Sequence, residues 1–474
     1  MIRHNVVGYI LLVFFLLCAT GFIWWVQEDP FFWDTIQLGS KHAHFFYENG
    51  RHWEALPPEI DSGHPPLLGL YLANLWAVFG KRLEVGHWSM LPFLWAIIIF
   101  LYRLGKKLGG ATWAYWLLPL VLLDPVLLGQ SALVGPDLIL AAFFLCSLDA
   151  VIGRNSMLLA VGIAGLCTVS MRGMMCSAAL FTGLLWFDRK YVFTKGWISF
   201  LPGVALAGAF LFWHYRATGW IGYHAGSPWA PAFRPAGIQE IVRNAGILAW
   251  RWLDFGRFAE WICLGFLLWQ LRKKRTGDWN VPVERQWQIL FVCLFVLLSY
   301  SALRYNNLSA HRYFLPLFLA FHLIVFQWIV HMPQLRAITK KTILGIISLT
   351  FAVSNFQVYP HGISMDWDST LAHLPYHEMR GEGIAFLKQH RIPFQEIGSA
   401  FPNINTDENV SLNGDFTSFV PIDTLRNNYI FISNVFNDVS KEDRKALQTT
   451  WDLVWQRQRG QVWGEIYKKR ILPE

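Results

Sequence analysis

Residues 156–187 read SMLLAVGIAGLCTVSMRGMMCSAALFTGLLWF, and the pair Arg172-Gly173 divides them into two apolar runs of about fifteen residues each. A straight helix needs about 20 apolar residues to cross a hydrocarbon core of roughly 30 Å, so neither run reaches across alone. The spacing predicts two helices meeting at a turn recessed below the membrane surface, with a cation in it. A charge held there costs about 2.5 to 3.5 kcal/mol or more unless it has a partner. Two kinds of partner stay open: an anion entering from the bilayer, such as a lipid phosphate, or an acid of the chain itself, Asp137 or Asp124.

The rest of the chain has the same membrane character. Of its 474 residues 54% are hydrophobic, 16% aromatic and only 15% charged, against roughly 25% charged in a soluble domain. The 25 Trp, 37 Phe and 15 Tyr are what interfacial belts use, because such rings put an apolar body in lipid and a polar tip at the headgroups. The net charge of +8 does not point to nucleic acid. Its basic residues gather beside apolar runs (Arg103, Lys106, Lys107; Arg272 to Arg275; Lys340, Lys341), where they act as topology signals. All six cysteines lie in apolar segments without a CxxC pair, so neither a disulfide framework nor a thiolate metal site is expected. The first run, from Val6 to Trp25, spans a bilayer and lacks a small-residue cleavage site, so it reads as a retained helix.

Eleven apolar runs are long enough to count, near 6–26, 88–102, 111–128, 137–152, 156–171, 173–187, 196–215, 257–271, 286–303, 312–330 and 342–357. With a cytoplasmic N-terminus, every Lys/Arg-rich junction falls inside. The short run from Pro65 to Phe79 would break that pattern and is read as re-entrant, an element tolerated where it lines a cavity. The C-terminus is then outside, together with two long loops, 27–65 and 217–256. In the second, Glu240, Arg243, Arg251, Asp254 and Arg257 fall on one face at helical spacing, which predicts an interfacial helix.

From about His361 the composition becomes that of a soluble α/β unit. Ser440 and Asp443 form a capping-box signature before a helix of Ala446, Leu447, Trp451 and Val454, flanked by β-type runs at Tyr429–Ile432 and Val462–Tyr467. The expected fold is thus mainly α. A polytopic helical membrane domain over 1–360, with about eleven crossings plus re-entrant and interfacial helices, precedes a small extracytoplasmic α/β domain over 361–474.

The candidate chemistry lies in the first loop and at three helix starts. The loop carries Glu28, Asp29 and Asp34, then Lys41, His42 and His44, then Gly63-His64-Pro65-Pro66-Leu67. A carboxylate at the end of an apolar helix serves as general base or metal ligand at the membrane surface, or is a solvated loop acid. His42 and His44 alternate as metal ligands do, which is weak evidence by itself. Asp137 follows Gly135-Pro136 and would be favoured at a helix start by the dipole alone. Arg304 and His311-Arg312-Tyr313 bracket an outer turn, where guanidinium forks suit phosphate oxygens or snorkel to headgroups.

The acidic residue early in the first outer loop, Gly63-His64-Pro65-Pro66-Leu67, Leu123-Asp124-Pro125 and Asp137 together resemble the GT-C superfamily of integral-membrane glycosyltransferases. Protein O-mannosyltransferases and the lipid A aminoarabinose transferase look most similar. The likeness covers roughly residues 6–330 and does not extend to the C-terminal unit. It implies transfer of a sugar from a polyprenyl-phosphate donor to an acceptor hydroxyl on a lipid, protein or polysaccharide, outside the cytoplasm, in a bacterial inner membrane. By position it makes Asp34 and Asp137 the catalytic acids and Arg172, His64, Arg312 and Arg304 the donor-phosphate contacts. Asp29, Lys41 and His44 would support them. Where the family often has a second acid after the first, this chain has Thr35. A divalent metal is an open expectation without a nameable ligand set. The competing reading is a transporter or flippase for a lipid-linked or anionic solute, which predicts symmetric halves; no inverted repeat is visible.

Overall fold

The computed structural model describes residues 2–227, 229–273, 285–306, 309–359, 366–436 and 438–470. The expected start of the soluble unit at 361, and Lys274 and Arg275 of one basic cluster, lie outside them.

Each of the eleven apolar runs is helical, but not all are full crossings. Among the described residues, seven helices are long and apolar enough to cross a membrane: Val7–Val26, Leu83–Gly109, Pro136–Gly153, Arg189–Thr218, Gln286–Arg304, His311–His331 and Ala337–Ser354. An eighth candidate, Ala114–Leu122 with Pro125–Ser131, is bent by 75°. The bend has a local cause. Asp124 leaves the helical conformation and caps the second half, accepting the N–H groups of Val126 (3.0 Å) and Leu127 (3.1 Å), and Pro125 fits the first helical position.

Ser156–Val169 and Met171–Phe187 are shorter apolar helices. They are joined at Ser170, which is extended and caps the second helix by accepting the Gly173 N–H at 3.2 Å. Arg172 therefore occupies the second position of a helix that starts inside the protein. Leu67–Phe79 is a helix of 13 residues packed along Lys41–Glu48. The bundle buries one continuous apolar core from Ala19 to Phe351. On its opposite end, Asp149, fully buried, is held by Arg103 (2.8 Å) and Lys107 (2.6 Å).

The helix expected in the second long loop is Ile238–Arg251, with Ile238, Val242 and Trp250 exposed. Its charged face differs from the expectation. The helix ends at Arg251, and Arg251, Asp254 and Arg257 are buried in the bundle instead of meeting headgroups.

The C-terminal part carries a five-stranded sheet in the order β2-β1-β3-β5-β4, with β1 Ile397–Ser399, β2 Val420–Pro421, β3 Tyr429–Ser433, β4 Trp451–Arg459 and β5 Val462–Lys469. β1 runs parallel to β2 and β3, while β5 is antiparallel to β3 and β4. Ser440 and Asp443 do form a capping box, but the helix stops at Thr450. Trp451 and Val454, expected on that helix, lie on β4. Pairing with β5 and burial of Trp451 and Trp455 outweigh the helical spacing.

Candidate active site

The first loop leaves the end of its helix at Val26 and turns sharply at Trp33, whose φ of +50° is uncommon for a bulky residue. Packing against the C-terminal unit holds it there: Phe32 stacks on His373 (4.8 Å) and Trp33 meets Phe401 edge-on (5.2 Å). Asp34 comes next and leads into a π-helical turn, Thr35–Ser40, a wide coil often found at functional sites.

Asp34, Asp137, Arg172 and Arg312 meet in one cluster, although 278 residues separate the first from the last. Arg312 stands in the turn His311–Phe314 that opens the helix Leu315–His331. Its Nη2 donates to Asp34 Oδ2 at 2.8 Å, its Nε lies 3.8 Å from Asp137 Oδ2, and its Nη1 contacts Asp368. Arg172 Nη1 donates to Asp137 and to the Arg312 carbonyl (3.2 Å). Tyr313 lies under both cations, 4.6 Å from Arg172 and 5.1 Å from Arg312. Of the two kinds of partner open to Arg172, the acid Asp137 occupies the position here. Asp124 does not, because it pairs with Arg257.

The three acids of the cluster differ in access. The Asp34 side chain is 24% exposed, against 3% for Asp137 and 6% for Asp368, so Asp34 is the one an incoming molecule reaches. Beside it Leu38, His42, Ser62, His64, Pro136, Ser170 and Arg172 line a narrow cleft. Gly63 shapes its rim: its φ is +70°, and a side chain there would run into the Gly222 carbonyl. Burial, then the Arg172 charge, pushes His64 down to about 4, and burial pushes His42 down to about 4 as well. Both imidazoles are therefore neutral near pH 7. His64, expected as a donor-phosphate contact, is thus an uncharged side chain on the cleft wall. Its Nδ1 is buried without a hydrogen-bond partner among the described residues.

Four expected residues are not drawn into this cluster. His44 Nε2 lies 3.1 Å from Glu408 of the C-terminal unit, which also takes Lys81. His44 thus clamps that unit, and His42 faces the Ile60 carbonyl (2.7 Å) instead of sharing a ligand with it. Asp29 is half-buried and pushed up to about 6 by burial and then by Glu28. Lys41 is half-buried, and burial lowers its ammonium. Arg304 is exposed at the end of its helix, with no contact from its side chain to the cluster among the described residues. No group of three or more His, Cys, Asp or Glu side chains among the described residues is arranged to hold a metal ion, so no residue is assigned to one.

A second buried network escaped the reading of the sequence. Arg257 contacts Asp124 at 2.7 Å, and His322 bridges Asp124 (3.3 Å) and Glu260 (2.8 Å). Asp254 lies 2.6 Å from His311 and 3.6 Å from Arg257, and His311 is 2.9 Å from Asp366. Because His311 and Arg312 are consecutive, this network backs the first cluster. Glu260 and His322 lay inside runs counted as crossings. An ionisable residue in such a run requires a partner, and that signal was available. Asp366 and Asp368 gave no such signal.

No family model matches the chain, and no curated protein matches its sequence. Among solved structures it is similar to ArnT from Cupriavidus metallidurans, in a crystal structure bound to undecaprenyl phosphate. The TM-score is 0.55 at 11% identity, covering 96% of this chain and 97% of that one. The fold is therefore similar to that of ArnT over nearly the full length of both chains. The chain is an integral membrane protein with this fold.

Proposed function

We propose that the chain moves a sugar from a polyprenyl-phosphate donor to an acceptor hydroxyl on the non-cytoplasmic side of a bacterial inner membrane. One observation carries the reading: the accessible carboxylate of Asp34 shares an arginine with the recessed Asp137–Arg172 pair, in a fold whose neighbour was crystallised with undecaprenyl phosphate. The domain reading, membrane unit over 1–360 and extracytoplasmic unit over 361–474, belongs to the same proposal.

The step is a displacement. Asp34 takes the proton of the acceptor hydroxyl as that oxygen bonds to the anomeric carbon. The bond from that carbon to the phosphate oxygen breaks, and its electron pair leaves with the polyprenyl phosphate. The donor's phosphate is a diester with one negative charge and departs as a monoester, so charge grows on it during the reaction. Arg312 and Arg172 stabilise that growth, a type of interaction that often dominates such catalysis. His64 supplies an uncharged hydrogen bond, and the prenyl chain stays in hydrocarbon. Inversion at the anomeric carbon follows from a single displacement.

The test is incubation of purified protein with radiolabelled polyprenyl-phosphate sugars and membrane extract. Label should move to a lipid, protein or polysaccharide. Asp34→Asn should abolish transfer while donor binding persists, and retained turnover would place the base elsewhere. A reporter fused after Glu474 should read as non-cytoplasmic.

A further inference from the structure

Arg312 carries an acid that neither end of the displacement uses. Residues 366–370, Asp-Trp-Asp-Ser-Thr, cross from the C-terminal unit onto the bundle. Trp367 anchors them on the C-terminal side by donating to the Asn434 carbonyl at 3.0 Å. On the bundle side Gln130 donates to the Asp368 carbonyl at 2.8 Å. The crossing point is Gly129, where a Cβ would stand 2.8 Å from the Thr370 nitrogen and 2.9 Å from the Ser369 carbonyl carbon. This strap sets two acids, Asp366 and Asp368, on two consecutive basic residues, His311 and Arg312.

We propose that Asp368 is a place-holder for the donor phosphate, a positioning residue that aligns the Arg312 guanidinium in the empty site and yields it when the phosphate arrives. The inference rests on the transferase reading above. Charge carries it. Asp34, Asp137 and Asp368 against Arg172 and Arg312 already leave one negative charge in excess. A phosphodiester adds another, in a site where like charges at hydrogen-bond distance repel strongly, and the charge the phosphate then gains is matched by the one Asp34 loses on taking the proton. Asp34 has to keep its place for the acceptor, and Asp137 is held by Arg172. Asp368 is the acid whose withdrawal removes repulsion without removing a reacting group. The strap is held by the Trp367 indole and by the Asp368 carbonyl, so the carboxylate can leave while the strap stays.

A held place-holder lowers apparent affinity by the fraction of molecules in which Arg312 is free. Full-length protein in nanodiscs, titrated with undecaprenyl phosphate and read by tryptophan fluorescence, tests this. Asp368→Asn should bind about fivefold or more tighter than the unaltered chain, the lower end of typical couplings between two ligands of one group. Asp368→Glu should restore the original affinity. Gly129→Ala, which displaces the strap without deleting a carboxylate, should also tighten binding and keeps the test alive if Asp368→Asn fails to fold. A residue that merely stabilised the site would weaken binding when removed, so the sign separates the two roles. Unchanged or weaker binding in Asp368→Asn, with Arg312→Ala still losing affinity, overturns the place-holder alone. If Arg312→Ala binds as well as the unaltered chain, the phosphate lies elsewhere and the transferase reading falls with it.

Discussion

The pair at the recessed helix start lends itself to a perturbation that separates structural from catalytic cost. Arg172→Met keeps an unbranched apolar stem and removes the charge. Asp137, with 3% of its side chain exposed, then loses the guanidinium on Oδ1 and keeps only Arg312 Nε, 3.8 Å from Oδ2. Breaking a buried pair by removing one partner costs about 3 to 5 kcal/mol, because the surviving charge is left uncompensated. The residual contact to Arg312 places this case at the lower end, about 3 kcal/mol. Adding Asp137→Asn removes the stranded charge, and replacing both members of a buried pair is often close to neutral. Unfolding in mixed detergent micelles should therefore show the single variant clearly destabilised and the double variant near the unaltered protein. Transfer should not follow. Loss of one preorganised donor to a developing anion costs about 10²- to 10³-fold in rate, and the double variant still lacks it. A double variant that regains both stability and turnover would make Arg172 and Asp137 a structural pair and refute their place in catalysis.

The buried network behind the site gives a second prediction: Arg257→Met severs a fully buried contact to Asp124 and one to Asp254, and should lower stability by about 3 kcal/mol in a detergent melt; an unshifted melt would show that the network does not stabilise the bundle. Burial would raise Glu408, but Lys81, His44 and the Gly414 N–H outweigh it and hold the carboxyl below its usual range. Docking of the C-terminal unit should therefore be strongest above the ordinary glutamate pKa and weaken as pH falls through the lowered value; hydrogen exchange should speed up there in Glu408→Gln at neutral pH, and unchanged protection would dismiss the clamp. Asp29 has the opposite sign: with its carboxyl pushed up to about 6, the folded chain binds a proton the unfolded one has released, so stability should fall as pH rises from about 4 to 6 and level off above. Asp29→Asn should remove that slope, and a slope that survives would assign it to another group.

What was legible in the sequence follows from where charge is expensive. Arg172, Asp137 and Arg312 each stand at a break in an apolar run, and the cost of burying them marks their positions before any coordinate is known. Their meeting is a different matter, since no spacing among residues 34, 137, 172 and 312 encodes a distance; the likeness to a known family supplied it. Glu260 and His322 carried the same mark and were passed over because each run still counted as a crossing with one polar residue in it. His42 and His44, which alternate in the sequence, point apart for a local reason. The π-helical turn Thr35–Ser40 precedes them, and one imidazole turns to Ile60 while the other reaches Glu408, 364 residues away. Asp368 was unreadable on these grounds, because in a segment of soluble composition an acid costs nothing to expose. It becomes costly only after the strap crosses Gly129 and delivers it to Arg312, so its significance belongs to the fold. That is also why its removal, alone among the acids of the cluster, is expected to improve phosphate binding.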